Sequence, residues 1–244
     1  MAIDLKRAQS FGEQAQRYQR MRPGYPAALI HRVLPGPHLR IADVGAGTGK
    51  LSAVLSAMGH TVTAVEPDDR MRAAFADHHP AIELRAGVAE ELPLPDGTVD
   101  AVLFGQSWHW ADPGPATREA CRVLTARGRL SMLWNLPDLR ESWVQELIDI
   151  THAQFGRRVE GDPAVLAGFE PGAKTSVDWV QRLPAEDVIE MVATWSKVAT
   201  LPEEQRAVTL DAVRRVITGH PDLAGSSEIA FPYVCTAITY RRES

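Results

Sequence analysis

The segment Ile41-Ala42-Asp43-Val44-Gly45-Ala46-Gly47-Thr48-Gly49 carries the densest chemical signal in this chain. An apolar run ends in an acid, and a glycine-rich turn follows. Glycines let the backbone turn sharply and let a ligand lie against it with no Cβ in the way. A helix beginning near Thr48 would offer free N–H groups and a positive dipole end, which suits a carboxylate or phosphate. The third glycine of a dinucleotide fingerprint is missing, because position 50 is Lys. Asp43 stands two residues before the first glycine. An acid there has no use beside a pyrophosphate. A ligand carrying both an amino group and a carboxylate, such as a methionine moiety, tolerates one.

A second signal is Val62-Thr63-Ala64-Val65-Glu66-Pro67, another apolar run ending in an acid, 23 residues beyond Asp43. A carboxylate at the end of a second strand can accept both hydroxyls of a ribose. A third is Gly87-Val88-Ala89-Glu90-Glu91-Leu92-Pro93-Leu94-Pro95-Asp96, which leads into the apolar run Val99–Phe104. Immediately after that run stands Gln106-Ser107-Trp108-His109-Trp110. His109 is the local side chain whose ordinary pKa suits base work. Trp108 and Trp110 can shield a cation through their ring faces, or serve only as core aromatics.

The elements that must hold these residues alternate. Strands are expected at Leu39–Val44, Thr61–Val65, Ile82–Ala86, Val99–Phe104 and Arg129–Trp134. Helices are expected at 26–34, Lys50–Met58, Asp69–Asp77 and 112–125. Such βαβα alternation with apolar strands predicts a parallel sheet covered on both faces. Residues 11–21 read as a short helix, broken by Arg22-Pro23-Gly24-Tyr25-Pro26. Beyond residue 137 the pattern changes: a helix over 139–156, a strand at Ser176–Leu183, helices over 185–198 and 202–218, and a last strand at Tyr233–Tyr240. The expected organisation is an N-terminal helical lead-in (1–37), an α/β core (38–183), a helical lid insertion (184–230), and the core's final strand (231–244).

Composition excludes several classes. The formal net charge is −5, with Lys and Arg scattered, whereas a nucleic-acid binder usually shows a basic stripe. No apolar run reaches about 18 residues, so no membrane span is expected. The polar start MAIDLKRAQS does not read as a signal peptide, which makes the cytoplasm the default compartment. The two cysteines, Cys121 and Cys235, have no metal spacing and read as reduced thiols. The histidines other than His109 also lack ligand spacing and are expected at the surface. Asn135 and Asp138 alone do not make a metal site.

The ordered set of acid-x-Gly-x-Gly-x-Gly, then Glu-Pro, then Ala-Glu-x-Leu-Pro-Leu-x-Asp resembles the class I S-adenosylmethionine-dependent methyltransferases. The nearest likeness is to the methyltransferase type 11 branch of ubiquinone/menaquinone-biosynthesis methylases and trans-aconitate methyltransferases. The likeness covers about residues 11–135, and includes Tyr18 with Arg22-Pro23-Gly24-Tyr25-Pro26 and Gln106–Trp110. It implies a Rossmann-like seven-stranded sheet of order 3-2-1-4-5-7-6, with the last strand antiparallel and helices on both faces. It also implies S-adenosylmethionine as methyl donor. Carried over, Gly45, Ala46 and Gly47 would line the methionine part and Asp43 would order that loop. Glu66, followed by Pro67, would hold the ribose, and Val88 and Ala89 would lie beside the adenine. Many relatives place Asp where Val88 stands, so the adenine contact would fall to backbone or to Glu90. Gln106 would face the amino-acid end, and Tyr18 and Arg22 would fold over the cofactor.

Methyl transfer from a sulfonium is an in-line displacement. A carboxylate acceptor needs no base at pH 7, whereas a hydroxyl does. The turn after Val99–Phe104 lacks the Asn/Asp-Pro-Pro-aromatic signature of amino-methylating DNA enzymes. The expected reaction is therefore methylation of a small-molecule acceptor on oxygen, with His109 as base or positioning group and Trp108 and Trp110 at the substrate. Two other readings compete: a non-catalytic S-adenosylmethionine-binding protein, and a nicotinamide-dependent oxidoreductase. The second lacks the glycine spacing and any Tyr-x-x-x-Lys pair.

Overall fold

A computed structural model describes residues 23–34, 36–153, 163–223 and 225–243. The helix expected over 11–21, with Tyr18 and Arg22, lies outside the described residues.

Helix α1 (Ala27–Val33) leads into β1 (Arg40–Val44), α2 (Lys50–Ala57), β2 (Thr61–Val65), α3 (Asp69–His78) and β3 (Glu83–Arg85). Then come β4 (Val99–Gly105), a 3-10 turn (Trp108–Trp110), α4 (Pro113–Val123) and β5 (Leu124–Pro137). The last elements are α5 (Ser142–Thr151), β6 (Ala173–Pro184), α6 (Ala185–Ala193), α7 (Ser196–Ala199), α8 (Glu203–Gly219) and β7 (Glu228–Arg241). The sheet has seven strands in the order β3-β2-β1-β4-β5-β7-β6, with β7 antiparallel, as the resemblance implied.

The strands form where apolar residues run without alternation. Ile41, Ala42 and Val44 of β1, and Ala101, Val102, Leu103 and Phe104 of β4, are buried, as strands covered on both faces must be. β1 pairs in parallel with β2 on one side (Arg40↔Thr61 to Val44↔Val65) and with β4 on the other (Ile41↔Ala101 to Asp43↔Leu103). Strand order reverses between β1 and β4. In open α/β sheets the crevice for a ligand lies at the carboxyl ends of the strands flanking such a reversal. Asp43 and Gly105 stand at those ends.

Caps set several helix starts. The Asp68 side chain accepts from the N–H groups of Arg70 and Met71 and begins α3. Asp112 accepts from Gly114 N–H, with Pro113 in the first helical position of α4.

Some bounds differ from the expected ones. β5 begins at Leu124, not Arg129, because Leu124 pairs with Val99 and the register then shifts so that Ala101 meets Arg129. Arg127 takes a left-handed conformation (φ 62°) within the shift. Helical spacing carries no sign of such an irregularity. The helix expected over 139–156 ends at Thr151, where His152 turns left-handed (φ 48°). The one expected over 185–198 breaks at Thr194 and Trp195 into α6 and α7. β7 begins at Glu228, ahead of Tyr233, and the Pro232 carbonyl accepts from Asp138 N–H at 3.0 Å.

The described residues fall into two compact units. One takes 24–135, 163–177 and 235–243; the other takes Pro23, 136–153 and 178–234. The second unit is larger than the insertion expected over 184–230. It has its own apolar core from Trp143, Leu147, Val188, Val192, Val213, Ile217, Phe231 and Tyr233. The Trp143 and Phe231 rings meet edge to face at 5.2 Å. No helix among the described residues is long and apolar enough to cross a membrane.

Candidate active site

The first unit gathers the chemically marked residues at the carboxyl ends of β1, β2 and β4. Asp43 is 1% exposed. Its Oδ2 accepts the Ser52 hydroxyl at 2.6 Å, from the first turn of α2. Its Oδ1 is buried without a hydrogen-bond partner. Burial pushes the Asp43 carboxyl up to about 6; the bonds from Ser52 oppose this and the Glu66 charge adds to it.

Glu66, also buried, ties the second strand's end to the glycine turn. Its Oε2 accepts Gly47 N–H at 2.8 Å and its Oε1 accepts Asp68 N–H at 2.9 Å. The Glu66 carbonyl accepts from Arg72, as does that of the exposed Pro67. The Val65 carbonyl accepts the N–H groups of Gly45 (2.8 Å) and Ala46 (3.2 Å), and the Ala46 carbonyl accepts Gly49 N–H (2.9 Å). The glycine turn that leads into α2 therefore keeps few free N–H groups of its own. Those of Gly45, Ala46 and Gly47 have acceptors because β2 extends far enough for Val65 and Glu66 to reach the turn, and that of Gly49 has Ala46 within the turn. The local charge comes from two buried carboxylates, so the turn favours a cationic group over an anion.

The glycines have different reasons. A Cβ on Gly45 would stand 2.5 Å from Ser107 Cβ, so this glycine answers a close approach from the turn after β4. A Cβ on Gly47, at φ 56°, would meet nothing within 4 Å. The space beside Gly47 is open, as a ligand's bed must be. A Cβ on Gly105 would stand 2.7 Å from the Tyr25 hydroxyl oxygen. An open bed, an unpartnered buried carboxylate oxygen and a surplus of negative charge fit an amino-acid group carrying an ammonium.

The turn after β4 is fastened to the first. The Ser107 hydroxyl donates to the Val44 carbonyl at 2.5 Å. Gln106 takes a left-handed conformation (φ 56°); its N–H donates to Leu133 O and its side-chain amide to Asn135 O at 3.2 Å. The buried Asn135 amide in turn donates to Gly24 O at 2.7 Å. Trp108 packs edge-on against Phe104 at 4.8 Å. His109 is exposed and lies against Trp110 at 4.8 Å. Desolvation by its surroundings lowers the His109 pKa, so the ring is neutral at pH 7. Trp110 is 82% exposed, which removes the core-aromatic reading for that residue.

The loop after β3 is held from the side. Glu90 Oε1 accepts Asp112 N–H at 2.6 Å. Arg122 donates to the carbonyls of Leu92 (3.0 Å) and Leu94 (2.8 Å), while Glu119 accepts Leu92 N–H at 2.8 Å. Val88 is exposed and Ala89 half-buried. Glu90 is thereby committed in part to the neighbouring turn.

Four supporting residues escaped the sequence reading: Ser52, Ser107, Glu119 and Arg122. Each acts through a bond to a distant part of the chain, which no local pattern announces. His60 was expected at the surface but is 8% exposed, with Nδ1 accepting Leu39 N–H at 3.2 Å. His79 is partly buried against Phe75, their ring centroids 5.5 Å apart. No group of three or more potential metal-ligating side chains occurs among the described residues.

Comparison with known proteins places this arrangement. The model of the family described as "Methyltransferase domain" matches residues 42–132. An uncharacterized methyltransferase of Mycobacterium tuberculosis is 40% identical over 234 residues, covering 94% of each chain. The malonyl-[acyl-carrier protein] O-methyltransferase of Methylococcus capsulatus is 34% identical over 122 residues, covering 46% of this chain and 44% of that one. A solved structure from Anaeromyxobacter dehalogenans, described as a candidate type II methyltransferase, shares the fold with a TM-score of 0.60 at 22% identity. It covers 91% of this chain and 97% of its own. With the sheet order and the glycine turn already in hand, a relative this similar along nearly its whole length places the chain in a family: it belongs to the class I S-adenosylmethionine-dependent methyltransferases, and S-adenosylmethionine is its methyl donor.

Proposed function

We propose that this enzyme methylates a small-molecule acceptor on oxygen. The observation that carries the reading is the fastening of two turns through Ser107. One turn brings the open bed at Gly47 and the carboxylates of Asp43 and Glu66; the other brings a neutral, solvent-accessible imidazole at His109, between Trp108 and Trp110.

S-adenosylmethionine supplies, when bound, a methyl group on a sulfonium. Gly45, Ala46 and Gly47 line its amino-acid part. Asp43 offers an unpartnered oxygen to a cationic group. Glu66 keeps lone pairs for the ribose, since an ionised carboxylate has about four acceptor positions and two are taken here. Val88, Ala89 and Glu90 border the adenine and Gln106 closes the amino-acid end; for Tyr18 and Arg22, outside the described residues, the family resemblance supports a role in covering the cofactor. The Trp110 face is free to meet cation or acceptor. His109 accepts the acceptor's proton or orients its oxygen. Residues 184–230 select the acceptor.

Acceptor chemistry separates two roles for His109. A carboxylate loses no proton in the transition state, so His109→Gln costs little. A hydroxyl must lose one, and the same change then costs about 10²–10⁴ in turnover. In that case the wild-type rate rises with pH through a pKa below the usual histidine value, because desolvation lowers it. A screen of small acids and alcohols, with peptides and oligonucleotides beside them, tests the reading. Methylation of the macromolecules alone would overturn it.

A further inference from the structure

A buried carboxylate oxygen without a partner is rare in a folded protein and calls for a physical account. Asp43 has one: Oδ1 is buried and unpartnered, while Oδ2 is held by Ser52 at 2.6 Å. Ser52 is itself fully buried, on the face of α2 that also buries Leu51 and Leu55. The hydroxyl there fixes one carboxylate oxygen and favours the charged form of Asp43.

Among the described residues, no cation acts on Asp43 to offset that charge. From the end of β2, Glu66 bears on Asp43 and makes ionisation harder. From α2 comes Ser52, which is neutral. The turn after β4 brings Ser107, also neutral, against the adjoining Gly45. Among the described residues, the second oxygen is thus left without a cationic partner. The cofactor carries such a cation in its α-ammonium group.

We propose that Ser52 is a positioning residue for cofactor binding: its hydroxyl holds Asp43 ionised, with the second oxygen kept for the cofactor's ammonium group, so that cofactor binding is coupled to loss of the Asp43 proton. The proposal rests on reading the turn at Gly45–Gly47 as the cofactor's bed. In the free enzyme the Asp43 carboxyl titrates at about 6, and the bonds from Ser52 are what oppose a higher value. Below that pH the protonated acid has to ionise before it can meet a cation, and affinity falls. Removing the hydroxyl moves the titration upward, into the neutral range.

The experiment is calorimetric titration of the full-length protein with S-adenosylhomocysteine between pH 5 and 8.5. Wild-type affinity is expected to fall by about tenfold per pH unit below the Asp43 step. Losing one charge-assisted bond moves that step up by about one to two pH units in Ser52→Ala. That variant binds about two- to tenfold more weakly at pH 7 and approaches wild type by pH 8.5. Ser52→Thr, which keeps the hydroxyl, leaves the step in place, and Asp43→Asn removes it. A wild-type affinity flat from pH 5 to 8 overturns the proposal. So does a Ser52→Ala loss of the same size at every pH, which is the mark of a purely structural serine. Wild-type and Asp43→Asn titrations keep the question decidable if Ser52→Ala does not fold. Gly47→Val distinguishes the two levels of failure: unchanged affinity in that variant shows that the bed itself is misplaced.

Discussion

At the scale of single residues, Asp43 links stability to function. Its carboxyl titrates at about 6 in the folded chain, above the ordinary value of about 3.9. For an acid raised in this way, stability is fully present below the unfolded value and is lost as pH rises through the folded one. The loss reaches about 3 kcal/mol at pH 7. Asp43→Asn is therefore expected to raise the unfolding temperature of the cofactor-free protein at pH 7.5 and to change it little at pH 4. The same substitution weakens cofactor binding, so stability and function oppose each other here. Thermal unfolding at the two pH values checks the sign, and equal effects at both would remove the charge explanation. Glu66 makes a second case. Its carboxylate fastens Gly47 and Asp68 and, on the reading proposed above, receives the ribose. Glu66→Ala should weaken S-adenosylhomocysteine binding by about tenfold or more. An unchanged dissociation constant would leave Glu66 as a loop fastener only.

At the scale of elements, the site depends on one turn lying closely against another. Gly45 and Gly47 both have positive φ, and alanine at either costs about 1–2 kcal/mol of left-handed strain. Only Gly45 also faces a neighbour, since its added Cβ would stand 2.5 Å from Ser107 Cβ. Gly45→Ala should therefore destabilise the chain more than Gly47→Ala in chemical denaturation. In a Ser107→Gly background most of that excess should vanish, because Ser107 Cβ and Oγ are gone and the Ser107 Cα stands 3.9 Å away. Additive costs would show that the two turns are not in contact as described. The mismatches between expected and observed elements belong to this scale too. β5 was expected to start late because Leu124 continues the apolar spacing of α4, yet it pairs with Val99.

At the scale of the whole molecule, the second unit does not depend on the glycine turns for its core. Its apolar cluster is built from α5, α6, α8 and the adjoining strand residues. Phe231 is fully buried within it, edge-on to Trp143. Phe231→Ala should cost about 3–5 kcal/mol, seen as a lowered denaturation midpoint. A cost below about 1 kcal/mol would mean that this core does not stabilise the chain as a packed unit. The proposed acceptor role of residues 184–230 has its own test. Hydrogen exchange across them should slow when cofactor and acceptor are added together; equal exchange with and without ligands counts against the role.

The sequence by itself determined the sheet and the cofactor. Apolar runs without alternation set β1 and β4, because strands buried on both faces have no polar side to display. The spacing from Asp43 through Glu66 to Pro93 carried the family resemblance, because a backbone turn bearing a ligand needs particular residues at particular steps. The tertiary structure decided which groups are already engaged. It showed that the N–H groups of Gly45, Ala46, Gly47 and Gly49 have protein acceptors, that Ser107 is the reason for Gly45, and that Ser52 holds Asp43. It also exposed Trp110 and buried His60. These follow from side chains meeting across strand ends, and burial decides what a carboxylate or an imidazole does. Periodicity along one chain records which face a residue is on, but not which distant group will stand opposite it.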